Sequence, residues 1–185
     1  MKRKLKNIAL AIIVFYPTEN QLNRIYYYLE TFENVFVYCN SPFDLHLSRH
    51  IVFKSEKIIK FGNGNNDGLS KAYNVMINYC SKKNIKYLLI LDQDSIYPLQ
   101  SNSSLYYLED NNPPNDAALI TSMRIPKSLK NKYKFKLSNQ VKKRDFKKVK
   151  NAINSGSIID IKKIIKIINS TKFSIILIVN RLFIV

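Results

Sequence analysis

The chain has 185 residues, of which 46% are hydrophobic, and its 30 Lys and Arg outnumber 13 Asp and Glu to give a formal net charge of +17. This length suits one hydrophobic core and is short for two domains, and no apolar run reaches the roughly 18 to 20 residues that a membrane-spanning helix needs. The two cysteines, Cys39 and Cys80, have no second thiol nearby for a zinc pair and fit a reducing, cytoplasmic setting, while the positive charge favours nucleic acid, anionic lipid or phosphorylated small molecules as partners.

The N-terminal part of the chain predicts a strand, a helix and a second strand. Residues 8–15 are an uninterrupted apolar run, which is typical of a strand buried on both faces. Thr18 and Gln21 have the spacing of a capping box, which predicts a helix that continues to about residue 33. Residues 35–38 then have the pattern of the next strand. This order implies a parallel crossover and therefore an α/β sheet.

A stretch rich in glycine and asparagine, residues 61–68, follows a weaker strand pattern at 51–53 or 58–59. Its Gly and Asn residues tolerate positive φ, so its backbone can come close to a ligand. It opens into a helix with an apolar face between Leu69 and Cys80, and the unpaired N–H groups at a helix N-terminus favour anions. An ordinary polar turn is the alternative, and the stretch alone does not decide between them.

The run Tyr-Leu-Leu-Ile-Leu at 87–91 predicts a central strand buried on both faces, and it ends in Asp92 and Asp94. Open α/β sheets bind their ligands at this end of their strands, so both carboxylates can point into one crevice. Two hard oxygen donors suit Mg²⁺ or Mn²⁺, and such a cation suits a diphosphate. The alternative is that one of the two aspartates only caps a helix predicted at about 98–108.

The remaining sequence contains a strand pattern at 117–122, a basic segment and a final strand and helix. The segment 127–150 holds eleven basic residues and one acid, which is typical of a solvated loop or of a patch that faces a membrane or an anion. Residues 152–159 predict a strand interrupted by Gly156, and a glycine there indicates a bulge or a close approach to a ligand. A short helix follows.

Three motifs lie in order along the chain: Asn-Asp-Gly-Leu-Ser-Lys-Ala-Tyr-Asn at 66–74, Leu-Asp-Gln-Asp-Ser at 91–95 and Asn-Ser-Gly-Ser-Ile-Ile at 154–159. They resemble the Asn-x-Gly-(x)3-Ala-x-Asn helix entry, the Leu-Asp-Gln-Asp-Ser motif and the later Ser-Gly-Ser strand of family 2 glycosyltransferases. The resemblance is strongest to the rhamnosyltransferase-like branch, and it runs from about residue 8 to residue 168.

The resemblance implies a glycosyltransferase A-type fold: a Rossmann-like, mostly parallel sheet with helices on both faces. Such a protein binds a nucleotide diphosphate sugar donor with the help of a divalent cation, Mg²⁺ or Mn²⁺. By resemblance, Asp94 binds the metal, and Asp92 shares it or contacts the ribose. The resemblance also implies which residues bind the donor. Asn66, Gly68 and Lys71 would line the nucleotide pocket, Asp92 would contact the ribose or the metal, and Ser155 and Gly156 would border the sugar site.

The implied reaction moves rhamnose or a similar deoxyhexose onto a cell-surface polysaccharide or a lipid-linked acceptor. We expect a cytoplasmic protein with peripheral contact to the inner face of the membrane through 127–150, and no nucleic-acid partner.

The chain departs from the family pattern in two places. Family members commonly carry an aspartate at the end of the second strand to read the base, where this chain has Cys39-Asn40-Ser41. Inverting members also keep an acid beyond the Ser-Gly strand as the catalytic base, whereas residues 161–185 contain no Asp or Glu. Asp160 is the nearby candidate for that base, and the catalytic residue is otherwise unassigned. We therefore divide the chain into a donor-binding domain at 1–170 and an apolar tail at 171–185 that replaces the acceptor-binding half, as in a truncated product.

Two other functions fit parts of the sequence. A haloacid-dehalogenase-like phosphatase also places Asp-x-Asp after an apolar strand, with the first aspartate as nucleophile, but that motif is usually near the start of the chain and needs further acids downstream. A non-enzymatic basic protein that binds nucleic acid would explain the charge of +17. Phosphate trapped on Asp92 would favour the phosphatase, and steeply salt-dependent DNA binding would favour the basic protein.

Overall fold

The structure is a computed structural model that describes residues 4–42, 45–97, 99, 104–111, 117–121, 147–149, 155–171 and 182–184. The membrane contact expected through 127–150 lies outside these residues, apart from the backbone of 147–149. None of the helices in the described ranges combines the length and the hydropathy required to cross a bilayer.

Strands and helices alternate through most of the described chain. Their bounds, in chain order, are β1 Ile8–Val14, α1 Glu19–Tyr28, β2 Val35–Cys39, α2 Leu45–Arg49, α3 Ile51–Lys54, β3 Ile58–Phe61, α4 Gly68–Lys82, β4 Tyr87–Asp92, α5 Ser104–Asp110, β5 Leu119–Thr121, β6 Lys147–Val149, β7 Ser157–Asp160, α6 Ile161–Thr171 and β8 Leu182–Ile184.

The strands form one sheet in the order β3-β2-β1-β4-β7-β5-β8-β6. Strands β1 to β4 are parallel to one another, whereas β7 runs antiparallel to both β4 and β5. The parallel order 3-2-1-4 is that of a Rossmann-like half, and its strand order reverses between β1 and β4. The predicted fold class, a mostly parallel α/β sheet covered by helices on both faces, is confirmed.

The core has two layers because successive side chains of a strand point to opposite faces of the sheet. Leu10 and Ile12 of β1 pack in the layer that contains the buried side chains of α1, α3 and α5. Ala9 and Ala11 of β1 face the layer formed with α4 and α6. The two alanines leave room for α4 to lie close to the sheet, and its Met76 is fully buried there. Burial of each large side chain stabilises the fold by roughly 1.5–3 kcal/mol.

The first helix is shorter than the sequence predicts. The backbone N–H of Thr18 donates to Oε1 of Gln21 at 2.7 Å, so the predicted start is confirmed. The helix ends at Tyr28 and not near residue 33, because the following residues bond to the chain before β1. Leu5 donates to the carbonyl of Thr31 at 2.8 Å and accepts from the N–H of Glu33 at 3.0 Å. These long-range bonds turn the chain out of the helix and towards β2.

Of the two positions predicted for the next strand, 58–59 is confirmed as part of β3 at 58–61, whereas residues 51–54 form the helix α3. The imidazole Nδ1 of His50 accepts from the N–H of Val52 at 3.2 Å, which satisfies one of the free donors at the start of α3. The helix predicted from about residue 98 begins at Ser104. The division at residue 170 stays a prediction, and three residues of the proposed tail form β8, which pairs with β5 and β6.

Candidate functional site

The candidate site lies at the carboxyl ends of β1 and β4, where the strand order reverses. These two strands are neighbours, and Asp92 at the end of β4 is in register with Ile13 of β1. The loops that follow β1, β2 and β3 reach the same edge because the four strands are parallel. The antiparallel β7 begins there, since Ser157 pairs with Ile90. Ligands of open α/β sheets bind in this position.

The two motif aspartates lie close together beside Ser155. The backbone N–H of Asp92 donates to Oγ of Ser155 at 3.0 Å, and that oxygen lies 2.6 Å from Oγ of Ser95. Partial burial, and next the neighbouring charge of Asp94, raise the pKa of Asp92, while a hydrogen bond from Ser155 acts in the opposite direction. Neither carboxylate forms an ion pair with a described residue. Among the described residues, the pair therefore carries negative charge that no ion pair compensates.

The turn that carries the aspartates is fixed from two sides. The side-chain amide of Gln93 accepts from the N–H of Phe15 at 2.8 Å and donates to its carbonyl at 3.1 Å, which extends the pairing of β1 with β4 by one step. Nη1 of Arg24 in α1 donates to the backbone carbonyl of Asp94 at 2.8 Å. The positions of the carboxylates thus depend on both β1 and α1.

Gly156 places Ser155 under the motif. Its N–H donates to the carbonyl of Ile90 at 2.7 Å, and its φ is +85°, a conformation that favours glycine. Of the predicted strand at 152–159, residues 152–154 lie outside the described residues, 155–156 form a turn, and the strand β7 begins at Ser157. The sequence predicts a bulge or a close approach to a ligand at this glycine. The structure shows a turn bonded to β4, and the approach to a ligand stays a prediction.

The asparagine-rich loop is fastened to the end of β2 by Asn40. This side chain is buried; its Oδ1 accepts from the N–H of Asp67 at 2.9 Å, and its Nδ2 donates to Oδ1 of Asn66 at 3.0 Å. The loop also folds closely over β2, because a Cβ on Gly62 would meet the carbonyl oxygen of Cys39 at 2.4 Å. Asn40 therefore supports the loop at the position where the resemblance leads one to expect an aspartate.

Asp67 occupies the N-terminus of α4 with two partners. Nζ of Lys71 lies 2.8 Å from its Oδ1, and the hydroxyl of Tyr38 donates to its Oδ2 at 2.8 Å. The hydrogen bond from Lys71, followed by that from Tyr38, lowers the pKa of Asp67. Burial, and then the bond to Asp67, raise the pKa of Tyr38 to about 12. The positive charge of Lys71 is thus used locally, and the helix N-terminus already has a carboxylate.

Tyr73 lies on the helix that follows the asparagine-rich loop and is close enough to Asp92 to feel its charge. It lies on α4 and is buried, and burial followed by the charge of Asp92 raises the pKa of Tyr73 to about 12. The predicted positions therefore form two groups on one edge of the sheet: Asp92, Asp94, Ser155 and Gly156 in one, and Asn66, Gly68 and Lys71 in the other.

The structure does not bring Asp160 to these groups. Asp160 is the last residue of β7 and is in register with Tyr87, the first residue of β4, so it lies about 16 Å from Asp92 along the strand. It is buried, accepts from the N–H of Lys163 at 3.1 Å, and lies 3.2 Å from Nζ of the same lysine. Asp160 caps α6, and we do not retain it as the catalytic base.

The residues present fit a cation that brings most of its own ligands. No group of three or more His, Cys, Asp or Glu side chains that could hold a metal occurs in the described part of the chain. Magnesium is commonly held by one or two carboxylates together with substrate phosphates and water. Asp92 and Asp94 match that arrangement, whereas the phosphatase alternative requires further acids around the metal.

Sequence reasoning did not assign the residues that support the site, although Tyr73 and Gln93 lie within the quoted motifs and Asn40 follows the second strand: Arg24, Tyr38, Asn40, Tyr73 and Gln93. Asn40 had a usable signal, since a polar residue directly after a buried parallel strand lies at the ligand edge. Arg24 had none, because it bonds to a carbonyl 70 residues away.

No protein-family model matches the chain, and no curated protein matches its sequence. In structure the chain is similar to a cytidylyltransferase from Leptospira borgpetersenii serovar Hardjo-bovis (strain JB197), with 11% sequence identity and a TM-score of 0.41. The match covers 91% of this chain and 65% of that chain, so this chain spans less than two thirds of that protein's length.

Proposed function

We propose that the protein is a metal-assisted glycosyltransferase that binds a nucleotide diphosphate sugar at the carboxyl ends of β1 to β4. The observation that carries the proposal is the pair Asp92 and Asp94 at the point where the strand order reverses, two carboxylates with no counter-ion among the described residues. The sequence resemblance to the rhamnosyltransferase-like branch supports the same assignment.

The two aspartates would hold the diphosphate through Mg²⁺ or Mn²⁺. Asp92 and Asp94 repel each other, so a cation between them relieves an unfavourable interaction that the free protein carries. When bound, the cation neutralises the charge that develops on the departing nucleoside diphosphate. Gln93 and Arg24 keep the turn rigid, so that the carboxylates do not have to be ordered at the moment of binding.

The asparagine-rich loop would contact the nucleoside. Asp67 already supplies a negative charge at the N-terminus of α4, which makes that position unfavourable for a phosphate. A Cβ on Gly68 would have no atom within 4 Å, so there is open space beside it. Asn66 is exposed next to that space, with its Oδ1 bonded to Asn40. Lys71 would act through Asp67, as a positioning residue.

The sugar would lie beside Ser155 and Gly156, next to the aspartates. The resemblance favours rhamnose or a similar deoxyhexose as the sugar and a cell-surface polysaccharide or lipid-linked molecule as the acceptor. Asp160 lies at the other end of β7 and is paired with Lys163, so the base that deprotonates the acceptor is not assigned.

Calorimetry with a panel of nucleoside diphosphates, with and without Mn²⁺, tests the proposal. We expect one nucleoside diphosphate to bind in a Mn²⁺-dependent manner to the wild type, and Asp94→Ala to lose this binding. Glu56→Ala, which removes an exposed acid at the opposite edge of the sheet, is the matched control. Metal-dependent binding that persists in Asp94→Ala would remove this aspartate from its role.

A further inference from the structure

A groove of about 810 Å³ lies far from the aspartates, between α1 and α3. Three large side chains that line it are exposed: Tyr26 at 44%, Tyr27 at 55% and Ile51 at 52%. Large apolar side chains gathered around one depression are characteristic of binding surfaces, whereas single ones scattered over a surface are ordinary.

The rim of the groove is basic. Lys4, Lys54 and Lys57 line it, and Glu30 is the acid among the lining residues. None of the three lysines forms an ion pair with a described residue. The groove thus combines an apolar, aromatic wall with an excess of free positive charge.

The groove lies at the amino ends of the parallel strands, whereas the candidate site lies at their carboxyl ends. Lys4 precedes β1, and Lys57 directly precedes β3, so both lie where these parallel strands begin. Asp92 lies where β4 ends. A ligand in the groove would therefore leave the proposed donor site accessible, and the inference does not depend on the proposed function.

We propose that this groove docks the protein on an anionic phospholipid surface. Tyrosine is enriched at the boundary between lipid and water because its ring is apolar and its hydroxyl is polar. Lysine can cover an apolar surface with its methylene stem while its ammonium group reaches a phosphate. Tyr26, Tyr27 and Ile51 enter the boundary region, and the three lysines contact the headgroups.

The composition of the groove favours lipid over a protein partner. Protein interfaces are depleted in lysine and enriched in arginine, because a buried ammonium group is costly to desolvate. The described lining contains three lysines and no arginine. A flexible point charge suits mobile phosphate headgroups better than the planar fork of arginine does.

Vesicle co-sedimentation at about 0.15 M salt tests the proposal, because this ionic strength screens diffuse attraction. Vesicles of phosphatidylcholine with phosphatidylglycerol should bind the wild type, and vesicles of phosphatidylcholine alone should not. We expect Tyr26→Ser/Tyr27→Ser to weaken binding about tenfold with its charge unchanged. Lys54→Gln/Lys57→Gln should weaken it more than Lys82→Gln/Lys166→Gln, which removes two exposed lysines elsewhere.

A fluorescent variant reports the docked surface directly, since the protein has no tryptophan. The emission of Ile51→Trp should shift to shorter wavelength on anionic vesicles, and that of Val75→Trp, on an exposed position of α4, should not. The proposal would be overturned if the two double-lysine variants lost the same amount of vesicle binding, or if the tyrosine variant bound as well as the wild type. Either result would mean that the net charge of the whole protein, and not the groove, attracts the vesicles. Self-association that these groove variants abolish, without vesicle binding by the wild type, would assign the groove to a second copy and overturn it as well.

Discussion

The two ends of the β4–β7 pair each carry a buried or partly buried aspartate. The residue next to each one differs in charge: a lysine lies beside one aspartate and a second aspartate lies beside the other. Asp160, at the end where β4 begins, is paired with Lys163 and caps α6. Asp92, at the end where β4 finishes, has the charge of Asp94 beside it, which adds to burial in raising its pKa. In the part of the chain that the structure describes, the charge of Asp160 is compensated by Lys163, whereas that of Asp92 has no such partner.

This difference distinguishes a structural acid from a candidate binding acid. A carboxylate that accepts from a backbone N–H and a lysine is stabilised in the free protein. Two carboxylates side by side, with no ion pair to a residue that the structure describes, gain stabilisation when a cation binds between them. The comparison therefore predicts that substitution of Asp92 lowers the affinity for the ligand, whereas substitution of Asp160 lowers the stability of the fold.

The largest expected effect is on affinity. Asp92→Asn should weaken the binding of a nucleoside diphosphate in the presence of Mn²⁺ by about 100-fold, because it removes a charged oxygen ligand of the cation. Asp160→Asn should bind within about twofold of the wild type at a temperature where both are folded. Titration calorimetry on the pair checks this, and comparable losses in both variants would break the comparison.

The next largest effect is on stability, and here Asp160→Asn is expected to change more than Asp92→Asn. Asp160→Asn should lower the free energy of unfolding by about 1–3 kcal/mol, because Lys163 loses its partner and α6 loses a charged cap. Asp92→Asn should leave the free energy of unfolding unchanged or higher, since it removes a repelled charge. Urea unfolding followed by circular dichroism measures both, and a greater loss in Asp92→Asn would contradict the assignment of roles.

A smaller effect is expected from the support of the motif turn. Arg24→Ala removes the hydrogen bond to the carbonyl of Asp94, so the second carboxylate becomes less ordered. Affinity for the nucleoside diphosphate with Mn²⁺ should fall about three- to tenfold, and Arg49→Ala, an exposed arginine outside the site, serves as the control. An unchanged affinity in Arg24→Ala would show that the turn keeps its geometry without this bond.

The smallest effect concerns pH. Because the pKa of Asp92 is raised in the folded protein, folding favours its protonated form, and its ionisation costs stability as the pH rises through the ordinary value near 3.9. The stability difference between Asp92→Asn and the wild type should therefore favour the variant at neutral pH and vanish below about pH 3. Thermal unfolding as a function of pH measures it, and a difference that grows towards acid pH would have the wrong sign.

The part of the fold that could be predicted is the part governed by local pattern. The positions of β1, β2 and β4 follow from their apolar runs, and the start of α1 follows from its capping box. Burial on both faces and helix capping are both visible in a few adjacent residues. The end of α1 and the start of α5 could not be placed. The first depends on hydrogen bonds to Leu5, a contact that no local pattern shows.

The candidate site divides in the same way. Asp92, Asp94 and Gly156 could be proposed from the sequence because a short motif at a strand end has a chemical meaning by itself. The hydrogen bonds of Asn40, Gln93 and Arg24 join segments that are distant in sequence, so their roles appear only once the strands are in register. Lys71 was found for its position, but its pairing with Asp67 requires the geometry of the loop.

Paramagnetic broadening by Mn²⁺ tests the central claim most directly, since it locates the cation on the unaltered protein. In the presence of a nucleoside diphosphate, we predict that Mn²⁺ broadens the backbone amide signals of Asp92, Gln93 and Ser155 much more strongly than those of Asp160 and Lys163, which lie at the other end of the β4–β7 pair. Broadening centred on Asp160, or broadening that is uniform over the molecule, would contradict the account.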